Sequence, residues 1–266
     1  MSQIDELFSK LRAEQKKAFM PFVTAGDPDL DFTRQLLKQL DASGCHLCEV
    51  GIPYSDPIAD GPVIQASYTR ALNAGSKLDA ILEMLASVTP EIEMPVVTMI
   101  SYAIIWRIGP DAFLDKAIAA GVAGAIVPDM PVDESADFLA KCKARDFNLI
   151  QLVTPTTPQE RAIRIAENCS GFIYYVFIAG ITGERTSLPD DLLQNVSWLR
   201  EQTELPICVG FGISQPEHIE MLKPAADGMI VGSAIVRRIA ALEEGGERDA
   251  VTADVVDFCK SMLAVT

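Results

Sequence analysis

Cations, histidine and long apolar runs are all scarce in this chain, and each shortage removes a class of function. Lysine and arginine number 22 against 37 acids, leaving a formal net charge of −15. Such a surface cannot neutralise a run of phosphates, which excludes a nucleic-acid binder. No window approaches the roughly 18 apolar residues that a bilayer-spanning helix requires. The stretch from Met1 to Lys17 is studded with charge and lacks the apolar centre of a secretion signal, so the expectation is a cytoplasmic chain with reduced thiols. Six cysteines are scattered without a framework. Cys45 and Cys48 have a CxxC spacing, but no second pair accompanies it, so buried free thiols are expected and no metal site. No low-complexity tract or linker divides the 266 residues, and one catalytic domain over 1–266 is expected.

What is present is a rhythm of short apolar runs, each followed by a turn and an amphipathic stretch. The runs are Ala18–Thr24, Leu47–Gly51, Pro95–Ser101, Ala123–Pro128, Asn148–Thr154, Phe172–Phe177, Pro206–Gly210 and Gly228–Gly232. Continuous apolar runs suit parallel strands covered on both faces. Helical periodicity marks Asp31–Ala42, Asp111–Ala120, Glu134–Ala144, Pro158–Glu167, Asp190–Glu201, Pro216–Leu222 and Ala234–Ala241. Thr157 before Pro158 and Ser214 before Pro216 carry helix-opening chemistry. Eight strands alternating with helices read as an α/β chain closed into a single (β/α)8 TIM barrel, with an open doubly wound sheet as the alternative. An extra N-terminal helix over Ile4–Glu14 aligns Ile4, Leu7, Phe8 and Leu11, a stripe suited to covering the barrel floor.

A barrel builds its site from the loops after its strands. Every lysine falls at a strand start, in a helix or between elements, so none is placed to form a Schiff base. His46 and His218 precede strand 2 and lie in a helix, which leaves proton transfer to carboxylates. Glu49 stands out because it interrupts the apolar strand Leu47-Cys48-Glu49-Val50-Gly51. A buried acid either finds a hydrogen-bonding neighbour or is held near neutrality for acid–base work; the second reading is favoured. Asp56 and Asp60 sit in a proline-rich loop, where turn formation alone would account for both. Strands 7 and 8 run into Gly210-Phe211-Gly212-Ile213-Ser214 and Gly232-Ser233-Ala234-Ile235. Glycines there, followed by helix starts, suit backbone capture of a phosphate without an arginine. Gly180-Ile181-Thr182-Gly183 either extends that cradle or hinges a lid.

These residues also resemble a known family. Pro21-Phe22-Val23-Thr24-Ala25-Gly26-Asp27-Pro28, the stretch Glu49-Val50-Gly51-Ile52-Pro53-Tyr54-Ser55-Asp56-Pro57-Ile58-Ala59-Asp60-Gly61-Pro62, Gly180-Ile181-Thr182-Gly183 and Phe211-Gly212-Ile213-Ser214 are similar to the tryptophan synthase alpha subunit, in order, from about residue 4 to about 240. The resemblance implies cleavage of indole-3-glycerol phosphate to indole and glyceraldehyde 3-phosphate in tryptophan biosynthesis. It implies Glu49 and Asp60 as the catalytic pair, with Phe22, Ile100, Tyr102, Tyr174 and Phe211 around the indole and Gly183, Gly212, Gly232 and Ser233 on the phosphate. It further implies no cofactor on this chain, and a beta-subunit partner in an alpha2beta2 tetramer that carries pyridoxal phosphate and faces the Asp56-Pro57 loop.

Three departures are visible. Ser101-Tyr102-Ala103-Ile104-Ile105 replaces an Asn-Pro pair in a loop that meets the partner, Phe177 stands for a serine, and Glu184 adds charge where a small residue is usual. The rival readings are a different phosphate-binding barrel, such as indole-3-glycerol phosphate synthase, whose strand-end lysines are absent, or a sugar-phosphate isomerase; a metal-dependent aldolase; and a weak or silent barrel acting mainly to activate a beta subunit.

Overall fold

The computed structural model describes residues 1–57, 60–176, 190–210 and 212–266, with only the backbone of 190 and 191. Its strands are β1 (Ala18–Thr24), β2 (Cys48–Gly51), β3 (Val96–Met99), β4 (Gly124–Ile126), β5 (Asn148–Val153), β6 (Ile173–Val176), β7 (Ile207–Gly210) and β8 (Gly228–Val231). They pair in parallel, each with the next, and β8 returns to β1, closing the barrel. The open doubly wound sheet is therefore excluded.

Alternation along each strand divides the apolar residues into two layers. Ala18, Met20, Phe22, Leu47, Val97, Met99, Ile126, Ile150, Tyr174, Cys208 and Ile230 fill the barrel interior. Phe19, Val23, Cys48, Val50, Val96, Ala125, Leu149, Ile173, Val209 and Met229 face outward into the helix layer. Both faces are buried, so a single apolar run serves each strand.

Among the described residues that layer holds α2 (Leu30–Ala42), α3 (Pro62–Asn73), α4 (Leu78–Val88), α5 (Tyr102–Ile108), α6 (Pro110–Ala119), α7 (Ser135–Lys143), α8 (Gln159–Glu167), α9 (Asp190–Gln202), α10 (Pro216–Leu222), α11 (Ser233–Ile239) and α12 (Arg248–Leu263). Four of these, α3, α4, α5 and α12, go beyond the segments expected from periodicity. The floor is closed by α1 (Gln3–Ala13), the extra helix expected there. It opens with a capping box in which Ser2 and Asp5 exchange side-chain and backbone hydrogen bonds. Its buried Ile4, Phe8 and Leu11 join the interior cluster, and Phe8 meets Phe172 with ring centroids 5.8 Å apart. Burial of such side chains stabilises by roughly 1.5–3 kcal/mol each.

Two expected helix caps are not made. The Thr157 hydroxyl accepts the Thr154 N–H at 3.0 Å, and α8 starts with no side-chain cap. The Ser214 N–H donates to His218 Nδ1 at 3.3 Å, and α10 likewise starts uncapped. A hydroxyl or amide in a tight loop takes the nearest partner, here one within its own turn.

Candidate active site

Strand alternation puts Glu49 inside the barrel, level with Phe22 of β1 and Val97 of β3. It is 1% exposed. Neither carboxyl oxygen has a hydrogen-bond partner among the described residues. Burial pushes its pKa well above the ordinary 4.5, and the charge of Asp60 pushes it further. An ionised carboxylate with no donor would be strongly disfavoured in such a place, so the group rests as a neutral acid.

Asp60 follows β2 and stands two residues ahead of the first residue of α3. It is half-buried, and burial lifts its pKa to about 6. It borders an open cleft at the C-terminal rim together with Tyr54, Tyr68, Met99, Ile100 and Asp129. Glu49 lies one interior layer below that rim, beneath Gly51. The phenols of Tyr68 and Tyr174 are raised in pKa by burial and then by the charges of both acids, so both phenols lie within electrostatic reach of the pair. The two acids also differ in kind, one neutral and sealed, the other accessible and able to ionise near neutrality.

The aromatic residues fit against glycines. A Cβ on Gly51 would come within 2.5 Å of Phe22 Cζ and 2.9 Å of the Tyr68 hydroxyl. A Cβ on Gly210 would come within 2.3 Å of the Tyr174 hydroxyl. Phe22, Ile100 and Tyr174 are thus gathered near the acids, all buried. Tyr102 starts α5 beside the cleft residues Ile100 and Ser101, with its ring 6.1 Å from that of the exposed Trp106. Its N–H donates to Asp129 Oδ1 and the Ser101 hydroxyl to Asp129 Oδ2, both at 2.6 Å.

Gly212 and Gly232 follow the adjacent strands β7 and β8. Gly212 has φ 75°, a left-handed conformation that disfavours any side chain. Gly232 is the N-cap of α11 and Ser233 its first residue, where first-turn N–H groups lack partners inside the helix. A Cβ on Gly232 would meet Phe22 only at ordinary contact distance, 3.6 Å. Gly183 and Phe211 lie outside the described residues, as do the departures at Phe177 and Glu184.

His46 and His218 are both used structurally. His46 Nδ1 accepts the Phe19 N–H at 3.0 Å, and burial lowers its pKa. All six cysteines are buried free thiols.

Against known proteins, a family model described as tryptophan synthase alpha chain matches residues 8–265. A tryptophan synthase alpha chain from Rhodopirellula baltica is 54% identical, covering 98% of each chain. The chain belongs to the tryptophan synthase alpha chain family. Another relative so described, from Trichormus variabilis, is 44% identical over 99% of this chain and 98% of its own. The crystal structure of the tryptophan synthase alpha chain from Legionella pneumophila superposes with a TM-score of 0.88 at 34% identity, covering 100% of this chain and 97% of that one. A structure titled for the mutual activation of the tryptophan synthase a2b2 complex from Pyrococcus furiosus gives 0.85 at 35% identity, covering 93% and 98%.

Membership of the alpha chain family extends further than the motifs alone indicated, since the match continues past residue 240 through α12. Sequence reasoning missed Tyr68, which borders the cleft from α3, because α3 itself was not foreseen. Asp129, just past the run Ala123–Pro128, was also given no role. Its role in holding Ser101 and Tyr102 depends on partners 28 and 27 residues away.

Proposed function

We propose that Glu49 and Asp60 carry out the alpha reaction of tryptophan synthase in this chain, the cleavage of indole-3-glycerol phosphate to indole and glyceraldehyde 3-phosphate. The observation that carries this reading is the Glu49 carboxyl, buried without a hydrogen-bond partner among the described residues and under the influence of Asp60. A neutral acid with no structural use is one ready to donate.

The chemistry follows from the two protonation states. Glu49 gives its proton to indole C3, and the ring becomes a cation that can draw electrons from its side chain. Asp60, ionised at neutral pH, accepts a hydrogen bond from the ring N–H and stabilises that charge. The Glu49 carboxylate then takes the proton of the adjacent glycerol hydroxyl. The bond between C3 and the glycerol chain breaks, its electron pair restores the indole, and the hydroxyl carbon becomes the aldehyde. Glu49 is neutral again at the end. Its ionised form exists only beside a cationic ring, which is the condition a buried carboxylate needs.

Phe22, Ile100 and Tyr174, with Phe211 and Tyr102 implied by the family, enclose the indole in this reading. Gly212, Gly232 and Ser233, with Gly183, take the phosphate on backbone N–H groups. The ring serves as electron sink, so this reading assigns the chain no cofactor. Its partner is a beta subunit in an alpha2beta2 assembly, as in the Pyrococcus furiosus complex, and pyridoxal phosphate belongs to that beta subunit in this reading. Residues 1–266 are read as one catalytic domain working in the cytoplasm. Among the described residues no helix is long and apolar enough to cross a membrane.

The test is indole release from indole-3-glycerol phosphate with and without a beta subunit. Glu49→Gln should abolish turnover in both conditions while substrate still binds. Near-normal turnover by that variant would remove Glu49 from the mechanism.

A further inference from the structure

The polar contacts of α3 take no part in the chemistry above, yet they converge on the end of β1. Thr24, the last residue of β1, meets Ser67 with 2.6 Å between the two buried hydroxyls. Three residues further along each segment, Asp27 and Arg70 form a two-pronged ion pair, Nε to Oδ1 at 2.8 Å and Nη2 to Oδ2 at 2.7 Å. Asp27 is 3% exposed and the Arg70 side chain 14%. Ser67 and Arg70 lie one turn apart on a single face of α3. Together the two contacts set both the height and the rotation of the helix against β1. Arg70 Nη1 also reaches Glu243 Oε2 at 3.3 Å, on the segment that follows α11.

Asp60 is carried by this helix. Gly61 is the N-cap of α3, Pro62 its first residue, and Gln65 Nε2 donates to the Asp60 carbonyl at 2.7 Å. The placement of α3 therefore decides where the Asp60 carboxyl stands relative to Glu49 on β2 and Tyr174 on β6.

We infer that Arg70 is a positioning residue for the alpha reaction, its paired contacts to Asp27 holding α3 where the Asp60 carboxyl meets the ring N–H. A buried ion pair is seldom needed for stability alone, since apolar residues of like volume do as well. What it supplies is direction. The guanidinium fork has one productive orientation on a carboxylate, which lysine cannot reproduce. The inference rests on the role given to Asp60 above.

The experiment compares wild type, Arg70→Lys, Arg70→Met and Asp60→Asn by kcat and KM for indole-3-glycerol phosphate across pH, alongside thermal unfolding. Arg70→Lys should fold and lose on the order of tenfold to a hundredfold in kcat, as a displacement of about 1 Å would produce, with KM changed far less. The acidic limb of its kcat profile should move from the wild-type position, because Asp60 sits in altered surroundings. Arg70→Met should exceed it in the same direction. If neither folds, the double variant Thr24→Val with Ser67→Ala, which loosens the same helix, is read in their place. Folded Arg70 variants with wild-type kcat and an unmoved limb overturn the inference, as does a rate loss that only follows the folded fraction. Asp60→Asn separates the two levels. If it keeps wild-type turnover and limb, the reading of Asp60 fails whatever Arg70 does, and if it loses both while Arg70 variants are normal, only the positioning role fails.

Discussion

Glu49 and Phe22 are register partners across β2 and β1, so the acid and the ring occupy one interior layer of the barrel. An acid in that layer is surrounded by Phe22, Val97 and their apolar neighbours and receives no hydrogen bond among the described residues. The arrangement is unfavourable for a carboxylate and harmless for a carboxylic acid, and the consequences can be measured.

The first concerns stability. Burial raises the Glu49 pKa well above 4.5 in the folded chain. The native state therefore binds more protons than the unfolded one between 4.5 and the raised value, and stability falls as pH climbs through that window. Glu49→Gln, neutral at every pH, should be more stable than wild type near pH 8, and its advantage should shrink at pH 4. Calorimetric unfolding of both proteins at the two pH values checks this. An advantage independent of pH would mean Glu49 does not titrate as described.

Asp60 predicts a limb in the rate profile. With a pKa of about 6 it is ionised at pH 8 and protonated at pH 5. If the carboxylate is the working form, kcat/KM, which reports ionisations of the free chain, should decline tenfold per pH unit below that value. Asp60→Asn should lower kcat by on the order of a hundredfold or more and flatten this limb. Steady-state indole release between pH 5 and 9 is the measurement.

Gly210 is the seat of the Tyr174 hydroxyl. A methyl there would have to share space with an atom 2.3 Å away, and the buried ring can yield only toward the pocket. Gly210→Ala should destabilise by about 1–3 kcal/mol through overpacking and should reduce turnover by tilting Tyr174 into the pocket. Denaturant unfolding and the indole assay read the two effects separately.

Asp129 holds the first turn of α5 through the Ser101 hydroxyl and the Tyr102 N–H. Asp129→Ala removes a charged acceptor from both, at a cost of about 1.5–3 kcal/mol. Hydrogen exchange at the Tyr102 amide should accelerate while amides of β1 and β8 remain protected. Unchanged exchange at Tyr102 would show that α5 forms without this anchor.

Strands were the most legible part of the chain. The run Ala18–Thr24 matches β1 residue for residue, and the other strands lie inside their predicted runs with trimmed ends. Helices were less so. The buried face of α3 is Ile64, Ser67, Tyr68 and Ala71, too mixed to register as an apolar stripe, because two of its anchors are polar. The α5 segment was taken as a loop; its N-cap, Ser101, is local, but the carboxylate that holds Ser101 and the Tyr102 N–H is Asp129, from the segment after β4. By contrast α4, with Ile81, Leu82, Leu85 and Val88, has a plain helical period and was open to reading.

The sequence by itself determined an α/β chain of eight strands buried on both faces, because such apolar runs alternating with amphipathic helices have few other ways to bury both surfaces; closure rather than an open doubly wound sheet was decided by the pairing of β8 with β1. It also singled out Glu49, since an acid inside such a run has no bland place to go. Asp60 drew attention only by resemblance, its local surroundings being those of an ordinary turn. Tertiary structure alone decided that Asp60 comes beside Glu49, that Tyr68 joins them, and that Arg70 and Asp27 hold the helix between. Those relations depend on side chains 8 to 43 residues apart, which the pairing of β1 with β2 and the packing of α3 against β1 bring together.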